Sequence, residues 1–314
     1  MRVAIACQGG GSHTAFTAGV LRRLLREDRD DIEIVALSGT SGGAVCAYLA
    51  WHGLSGPEGR PAKAVDLLDR FWAANAASAP WDAALNGWLV AMNRLEGAVV
   101  LPSVSPYLYP AWAQERFRAA LETLVPPRST PEGGPLLLVG AVDVRSGEFK
   151  AFSSARGEIS ADAVLASAAI PNLFRAVHVG PAAYWDGLFS QNPPVRELPD
   201  AAPDTIWVIR INPSARAEEP TTMPAILDRR NELSGNLSLA QELAFIEKVN
   251  EFVRKGWLKG SKYREIAVET ITLDRDLDTA SKLDRRPQFI ADLIAYGEAK
   301  AEAFLIACFS RTGR

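Results

Sequence analysis

Only three histidines, His13, His52 and His178, occur among the 314 residues, and none lies in the C-terminal third. The order Ser, then Asp or Glu, then His that α/β-hydrolases use therefore has no well-placed histidine to end on. Cysteine is equally scarce. Cys7, Cys46 and Cys308 are odd in number and widely spaced, which fits neither a disulfide framework nor a metal site and reads as buried thiols. No G-x-x-x-x-G-K-[ST] run is present, so a P-loop is excluded. An excess of one charge is missing too: 34 Lys and Arg stand against 37 Asp and Glu, a net charge of -3. With no long basic run, the chain carries no electrostatic footprint for nucleic acid. No apolar stretch approaches the length of a membrane span, and the apolar start from Val3 to Cys7 is too short for a signal-peptide core. The expected location is a reducing cytoplasm, peripheral to a membrane at most.

What is present is core material and glycine. At 48% hydrophobic and 23% charged residues, the chain is ample for one large α/β domain, or for a core plus an added helical portion. Gly39-Thr40-Ser41-Gly42-Gly43 is a G-x-S-x-G pentapeptide between an apolar run (Ile32 to Leu37) and a helix-like run (Ala44 to Trp51). A strand that enters a helix through such a turn holds its serine in a strained conformation with the hydroxyl exposed, and the flanking glycines remove Cβ clashes. Gln8-Gly9-Gly10-Gly11-Ser12 follows a short strand from Arg2 to Cys7 and precedes Phe16, Val20 and Leu24 at helical spacing. Three glycines leave backbone N-H groups open at a helix start, a site for an anion. That anion is either a phosphate or the oxyanion of a tetrahedral acyl intermediate. Thr14 occupies the position where G-x-G-x-x-G needs its last glycine, and no acidic residue closes the second strand, so a dinucleotide site is disfavoured. In a β-α-β reading the two strands are parallel neighbours, and the glycines and Ser41 lie side by side at their C-terminal ends.

A serine nucleophile needs a base. His13 reads as a loop residue and His52 as a helix-end residue, and Ala44 removes a Ser-x-x-Lys dyad. A carboxylate acting directly on the serine remains. Asp186 is the best candidate, in Tyr184-Trp185-Asp186-Gly187-Leu188 with Ser190-Gln191-Asn192-Pro193-Pro194 behind it, where the aromatic pair suits a strand and the residues after it a turn. Taken alone, Asp-Gly is a common turn signal.

Together these motifs resemble the patatin-like phospholipase family of serine lipid acyl hydrolases. The resemblance rests on the Gly9 to Thr14 loop, on G-T-S-G-G about thirty residues later, on Ala168-Ala169-Ile170-Pro171, and on Asp186-Gly187 followed by Asn192-Pro193. It spans residues 2 to 211, with a weaker match in the C-terminal portion. It implies Ser41 as nucleophile, Asp186 as base, and the backbone amides of Gly9, Gly10 and Gly11 as oxyanion donors. His13, Thr14 and Leu188 depart from the family pattern of a cation, a glycine and a small residue at those positions. The nucleophile and base positions are intact.

The rest of the chain sets the expected frame. Trp51, Trp72, Trp81, Trp88 and Trp112 crowd residues 51 to 112, joined by Pro106-Tyr107-Leu108-Tyr109-Pro110. Singly they read as core; as a group they predict a lid or acyl-chain groove over about 54-112. Pro126-Pro127 and the segment Ser129 to Pro135 read as turn and loop. Leu136 to Asp143 and Glu148 to Phe152 read as a hairpin, Ala161 to Ala169 as helix, and Phe174 to Val179, Ala182 to Trp185 and Thr205 to Ile211 as strands. A helical stripe through Leu239, Leu243, Ile246, Val249 and Val253 is core packing. Glu265 to Leu273 predicts a last strand, and Pro287 opens a final helix. The expected fold is a three-layer α/β/α domain with a mostly parallel sheet, its core in 1-211 and a mainly helical portion in 212-314 packed on it. The expected function is hydrolysis of lipid acyl esters with no metal or organic cofactor. The partners are a lipid or other acyl-ester substrate and, transiently, a membrane surface. The rivals are an acyltransferase, a hydrolase of other aliphatic esters such as hydroxyalkanoate polyesters, and a non-enzymatic lipid- or nucleotide-binding protein.

Overall fold

The computed structural model describes residues 1–27, 31–95, 104–126, 133–171, 173–216, 218–260 and 263–312. Part of the expected aromatic insertion (96–103), the second residue of the Pro126-Pro127 turn, and residues 129–132 of the expected loop lie outside them. The chain opens with β1 (Arg2–Cys7), α1 (Ala15–Leu25), β2 (Glu33–Thr40) and α2 (Gly42–Leu54). Three helices follow: α3 (Pro61–Asn75), α4 (Pro80–Leu95) and α5 (Trp112–Leu124). Then come β3 (Leu136–Asp143), β4 (Phe149–Ser153), α6 (Ala161–Ser167), β5 (Val177–Val179), β6 (Ala182–Asp186) and β7 (Thr205–Arg210). The end of the chain supplies α7 (Met223–Arg254), β8 (Ala267–Thr272) and α8 (Pro287–Thr312). No helix of the described residues is long and apolar enough to cross a membrane.

Among the described residues, eight strands form one mixed, mostly parallel sheet in the order β5-β6-β3-β2-β1-β7-β8, with β4 also on β3. β1, β2, β7 and β8 pair in parallel with their neighbours, as does β2 with β3, whereas β4, β5 and β6 join antiparallel. The central strands are largely apolar because helices cover both faces, as buried parallel strands require. Their side chains alternate between two cores. Val3, Ile5, Leu37, Val139 and Trp207 pack with α1, α2, α3 and α8, and Ala4, Ala6, Ala36, Leu138 and Val208 pack with Leu239 and Ile246 of α7. Small alanines on the second face leave room for the 32-residue α7. The expected strand from Phe174 shortens to Val177–Val179, because the Phe174 N-H turns back to the Ile170 carbonyl at 2.8 Å.

Strand register positions the site. β3 pairs with β4 through 138–142, so β2 and β6 must use its other edge. There β2 occupies 136–140, ending at Thr40 opposite Gly140. β6 then occupies 141–143, ending at Asp186 opposite Ala141. Two strands running in opposite directions thus end head to head on adjacent residues of β3, one delivering Ser41 and the other Asp186. Glycine is required at the junction: a Cβ on Gly187 would lie 2.6 Å from the Gly140 carbonyl oxygen and 3.0 Å from Thr40 Cγ2.

Candidate active site

Ser41 is a buried residue at φ 56° and ψ -131°, between the end of β2 and the first turn of α2. A non-glycine residue at positive φ costs about 1–3 kcal/mol and persists only where its surroundings hold it. Here the Ser41 N-H donates to Ser167 Oγ at 2.9 Å, and the Ser167 hydroxyl donates to the Gly140 carbonyl at 2.6 Å. The Ser41 carbonyl accepts from the N-H groups of Ala44 and Val45 and so starts α2. Thr40 is tied to the Gln191 carbonyl through its hydroxyl at 2.5 Å. Gly43 permits the close approach of turn to strand, since a Cβ there would stand 2.3 Å from the Cys7 carbonyl oxygen.

Asp186 is 1% exposed. Its Oδ1 accepts from the Leu188 N-H at 2.8 Å, whereas Oδ2 has no hydrogen-bond partner of ordinary geometry among the described residues. Burial pushes the carboxyl up to about 7, against the opposing pull of the Ser41 hydroxyl and the Leu188 amide. The hydroxyl is thus near enough to favour the ionised form without completing an aligned hydrogen bond, a geometry common in sites without substrate. A buried carboxyl that ionises near neutrality beside a hydroxyl can take a proton from it.

The glycine loop lies directly against this pair. A Cβ on Gly9 would meet the Thr40 carbonyl oxygen at 2.5 Å and Ser41 Cβ at 2.9 Å. Of the three amides expected to be free, that of Gly9 is not: it donates to Asn192 Oδ1 at 2.7 Å. The residue behind the Asp-Gly turn thereby anchors the loop, and the open donors reduce to Gly10 and Gly11, whose amides make no hydrogen bond among the described residues. Gly11 turns the chain at φ 55°, and a 3-10 turn runs from Gly11 to Thr14. Gln8, buried, fixes the start of the loop by accepting from the N-H groups of Ile211 and Asn212 and donating to Asn236 Oδ1.

No histidine contacts Ser41 or Asp186 by a hydrogen bond among the described residues. His13 Nε2 pairs with Ser281 Oγ at 2.7 Å, and burial, with the Lys282 charge beside it, pushes His13 down to about 3. His52 sits in the last turn of α2 and His178 in β5. Among the described residues no group of His, Cys, Asp and Glu is arranged to hold a metal ion. The expected aromatic group divides: Trp51 and Trp72 belong to the core, while Trp81, Trp88 and Trp112 are exposed. A cavity of about 510 Å³ lies at the opposite end of the sheet, lined by Leu24, Ile32, Val35 and Leu54, and touches none of the site residues.

Sequence reasoning missed Ser167, Asn212 and Lys282. Asn192 was visible as part of the motif behind Asp186, but nothing in the chain marked its partner.

A serine on a strand-to-helix elbow, with a buried carboxyl beside it and a glycine loop against it, has the layout of a serine acyl hydrolase. A family model described as Patatin-like phospholipase matches residues 5–199. The chain belongs to the patatin-like phospholipase family. No curated protein matches it. A solved structure, that of VipD from Legionella pneumophila, is similar at 13% identity with a TM-score of 0.44. The alignment covers 98% of this chain and 66% of that one, a likeness too slight to carry an argument.

Proposed function

We propose that the protein hydrolyses acyl esters of phospholipids or lysophospholipids through a Ser41-Asp186 dyad. In the first step Asp186 takes the Ser41 proton while Oγ bonds to the acyl carbonyl carbon, and the amides of Gly10 and Gly11 hold the oxyanion. Collapse of the intermediate breaks the ester bond; the leaving alcohol takes the proton from Asp186 and departs. Water gives a proton to Asp186 as its oxygen bonds to the acyl carbon; collapse then breaks the Ser41 Oγ–C bond, Asp186 returns the proton to Oγ, and the acid departs. The observation that carries this reading is the meeting of a positive-φ serine with a buried carboxyl raised to about 7, at adjacent residues of β3.

The lipid aggregate meets the molecule at α4. This helix is inverted: its buried side is mostly polar, with Asp82 bonded to Arg285 at 2.6 Å, Asn86 Nδ2 donating to the Leu283 carbonyl and Val90 alongside. Its outer side presents Trp81, Leu85, Trp88 and Leu89, and Trp112 nearby is 73% exposed. Arg116 lies over the Trp81 ring, 5.5 Å from its centre, and offers a cation at the edge of the aromatic face. Trp residues beside a cation suit the headgroup zone of a bilayer. On phosphatidylcholine vesicles, Trp88→Glu should slow hydrolysis severalfold while leaving a short soluble ester unaffected. Ser41→Ala should abolish both activities, and its survival on the soluble ester would remove the dyad.

A further inference from the structure

Behind the glycine loop lies a positive charge that the steps above do not use. Lys282 belongs to a short 3-10 turn, Thr279–Leu283, from the C-terminal part of the chain. Its backbone packs on the loop so closely that a Cβ on Gly11 would be 2.4 Å from the Lys282 carbonyl oxygen. The residue keeps some exposed surface, yet its ammonium end is enclosed deeply enough that burial lowers its pKa. Among the described residues the ammonium makes one hydrogen bond, to Asn212 Oδ1 at 2.7 Å, and no carboxylate lies within ion-pair distance of it. Asp228 and Glu232 act on it only from further away. The other end of the same amide, Asn212 Nδ2, donates to the Gly9 carbonyl at 3.3 Å.

Gly9 C=O and Gly10 N-H are the two ends of one peptide group. A donor placed on the carbonyl shifts electron density toward oxygen and makes the N-H a stronger donor, and a cation at the head of the chain adds to that polarisation. We propose that Lys282 is a positioning residue for the oxyanion site: its charge, relayed through Asn212 to the Gly9 carbonyl, strengthens and fixes the Gly10 amide as a donor. The next peptide is prepared the same way without a charge, since the Gly10 carbonyl accepts from the His13 N-H at 3.2 Å and shares its peptide with the Gly11 amide. His13 itself is held neutral, so Lys282 supplies the cation behind the loop.

This inference rests on the dyad reading, and the test separates the two. Kinetics on p-nitrophenyl butyrate would be measured for wild type, Lys282→Met, Lys282→Arg, Asn212→Ala, the Met-Ala double variant and Ser41→Ala. Binding of an alkyl trifluoromethyl ketone would be measured alongside. The Ser41 oxygen bonds to the carbonyl carbon of that ketone and its proton passes to Asp186, leaving an oxyanion in the site. Lys282→Met should lower kcat about tenfold, with KM within twofold, and weaken the ketone by the same factor. Lys282→Arg should restore most of both, and the double variant should be no worse than the poorer single one. Unchanged kcat and ketone affinity in Lys282→Met, or full additivity in the double variant, would overturn the relay while an inactive Ser41→Ala leaves the dyad standing. Should Lys282→Met fail to fold, Asn212→Ala carries the same expectation of lowered kcat and ketone affinity at constant KM, and wild-type values there would overturn the proposal. An active Ser41→Ala would remove the underlying reading instead.

Discussion

Replacing Asp186 with asparagine isolates the cost of keeping a carboxylate dry. In the unfolded chain this carboxyl ionises near 3.8; in the fold, burial delays ionisation to about 7. Between those values the folded state holds a proton on Asp186 that the unfolded state has lost, so the contribution of Asp186 to stability falls as pH rises from about 4 to about 7 and is level beyond. At about 1.36 kcal/mol per pH unit, the ionised group costs the fold about 4 kcal/mol above pH 7. Asparagine stays neutral, and its side-chain oxygen can still accept from the Leu188 N-H, the one bond that Asp186 Oδ1 makes. Asp186→Asn should therefore match wild type near pH 4 and exceed it by about 4 kcal/mol at pH 8, while losing hydrolysis. Urea unfolding of both proteins across that range measures the difference directly, since every other titrating group is common to the two. A gap that does not grow with pH, or a variant less stable than wild type at pH 8, would show that the ionised Asp186 carboxylate does not cost the fold stability.

Three further outcomes follow from the same geometry. The acidic limb of kcat/KM should rise with unit slope through an apparent pKa of about 7, because the base must be ionised to accept the serine proton; a limb near 4 would place the base elsewhere. Gly9→Ala should lower kcat at least about a hundredfold, since the new methyl would lie 2.5 Å from the Thr40 carbonyl oxygen and 2.9 Å from Ser41 Cβ, and near-normal kcat would show that the loop can move aside. Ser167→Ala leaves the buried Ser41 N-H without its partner and should destabilise by about 1–3 kcal/mol in thermal or urea unfolding, with a parallel loss of kcat.

The sequence carried the frame well where pattern and punctuation agree. Leu136–Asp143 was legible to the residue as a strand because an unbroken apolar run is bounded by Pro135 on one side and the Arg145-Ser146-Gly147 turn on the other. The parallel pairing of β1 with β2 followed from two buried strands joined by one helix, and it places Cys7 opposite Gly39 as the adjoining ends require. Ser41 and Asp186 could be nominated from local chemistry, but their meeting depends on how far β2 and β6 run along β3, which no local pattern encodes. Polar partners over long separations were hidden for the same reason. Ser41 to Ser167, Gly9 to Asn192 and Lys282 to Asn212 span 126, 183 and 70 residues, and each is a single side chain with no periodicity to announce it. The Gly9 amide was misjudged because a glycine-rich stretch shows that donors are unobstructed, not that they are unoccupied. The aromatic segment divided because tryptophan content does not say which face of a helix is polar: in α4 it is Asp82 and Asn86 that point inward.

In the proposed dyad, Ser41 is a nucleophile activated by Asp186. A fluorophosphonate reacts with an activated serine by forming a P-O bond at Oγ with loss of fluoride, and peptide mass spectrometry locates the adduct. At pH 8 one adduct is expected, on the peptide containing Ser41 in wild type, with none in Ser41→Ala and labelling slowed by at least about a hundredfold in folded Asp186→Asn. An adduct on any other residue, or undiminished labelling of Ser41 in Asp186→Asn, would contradict it.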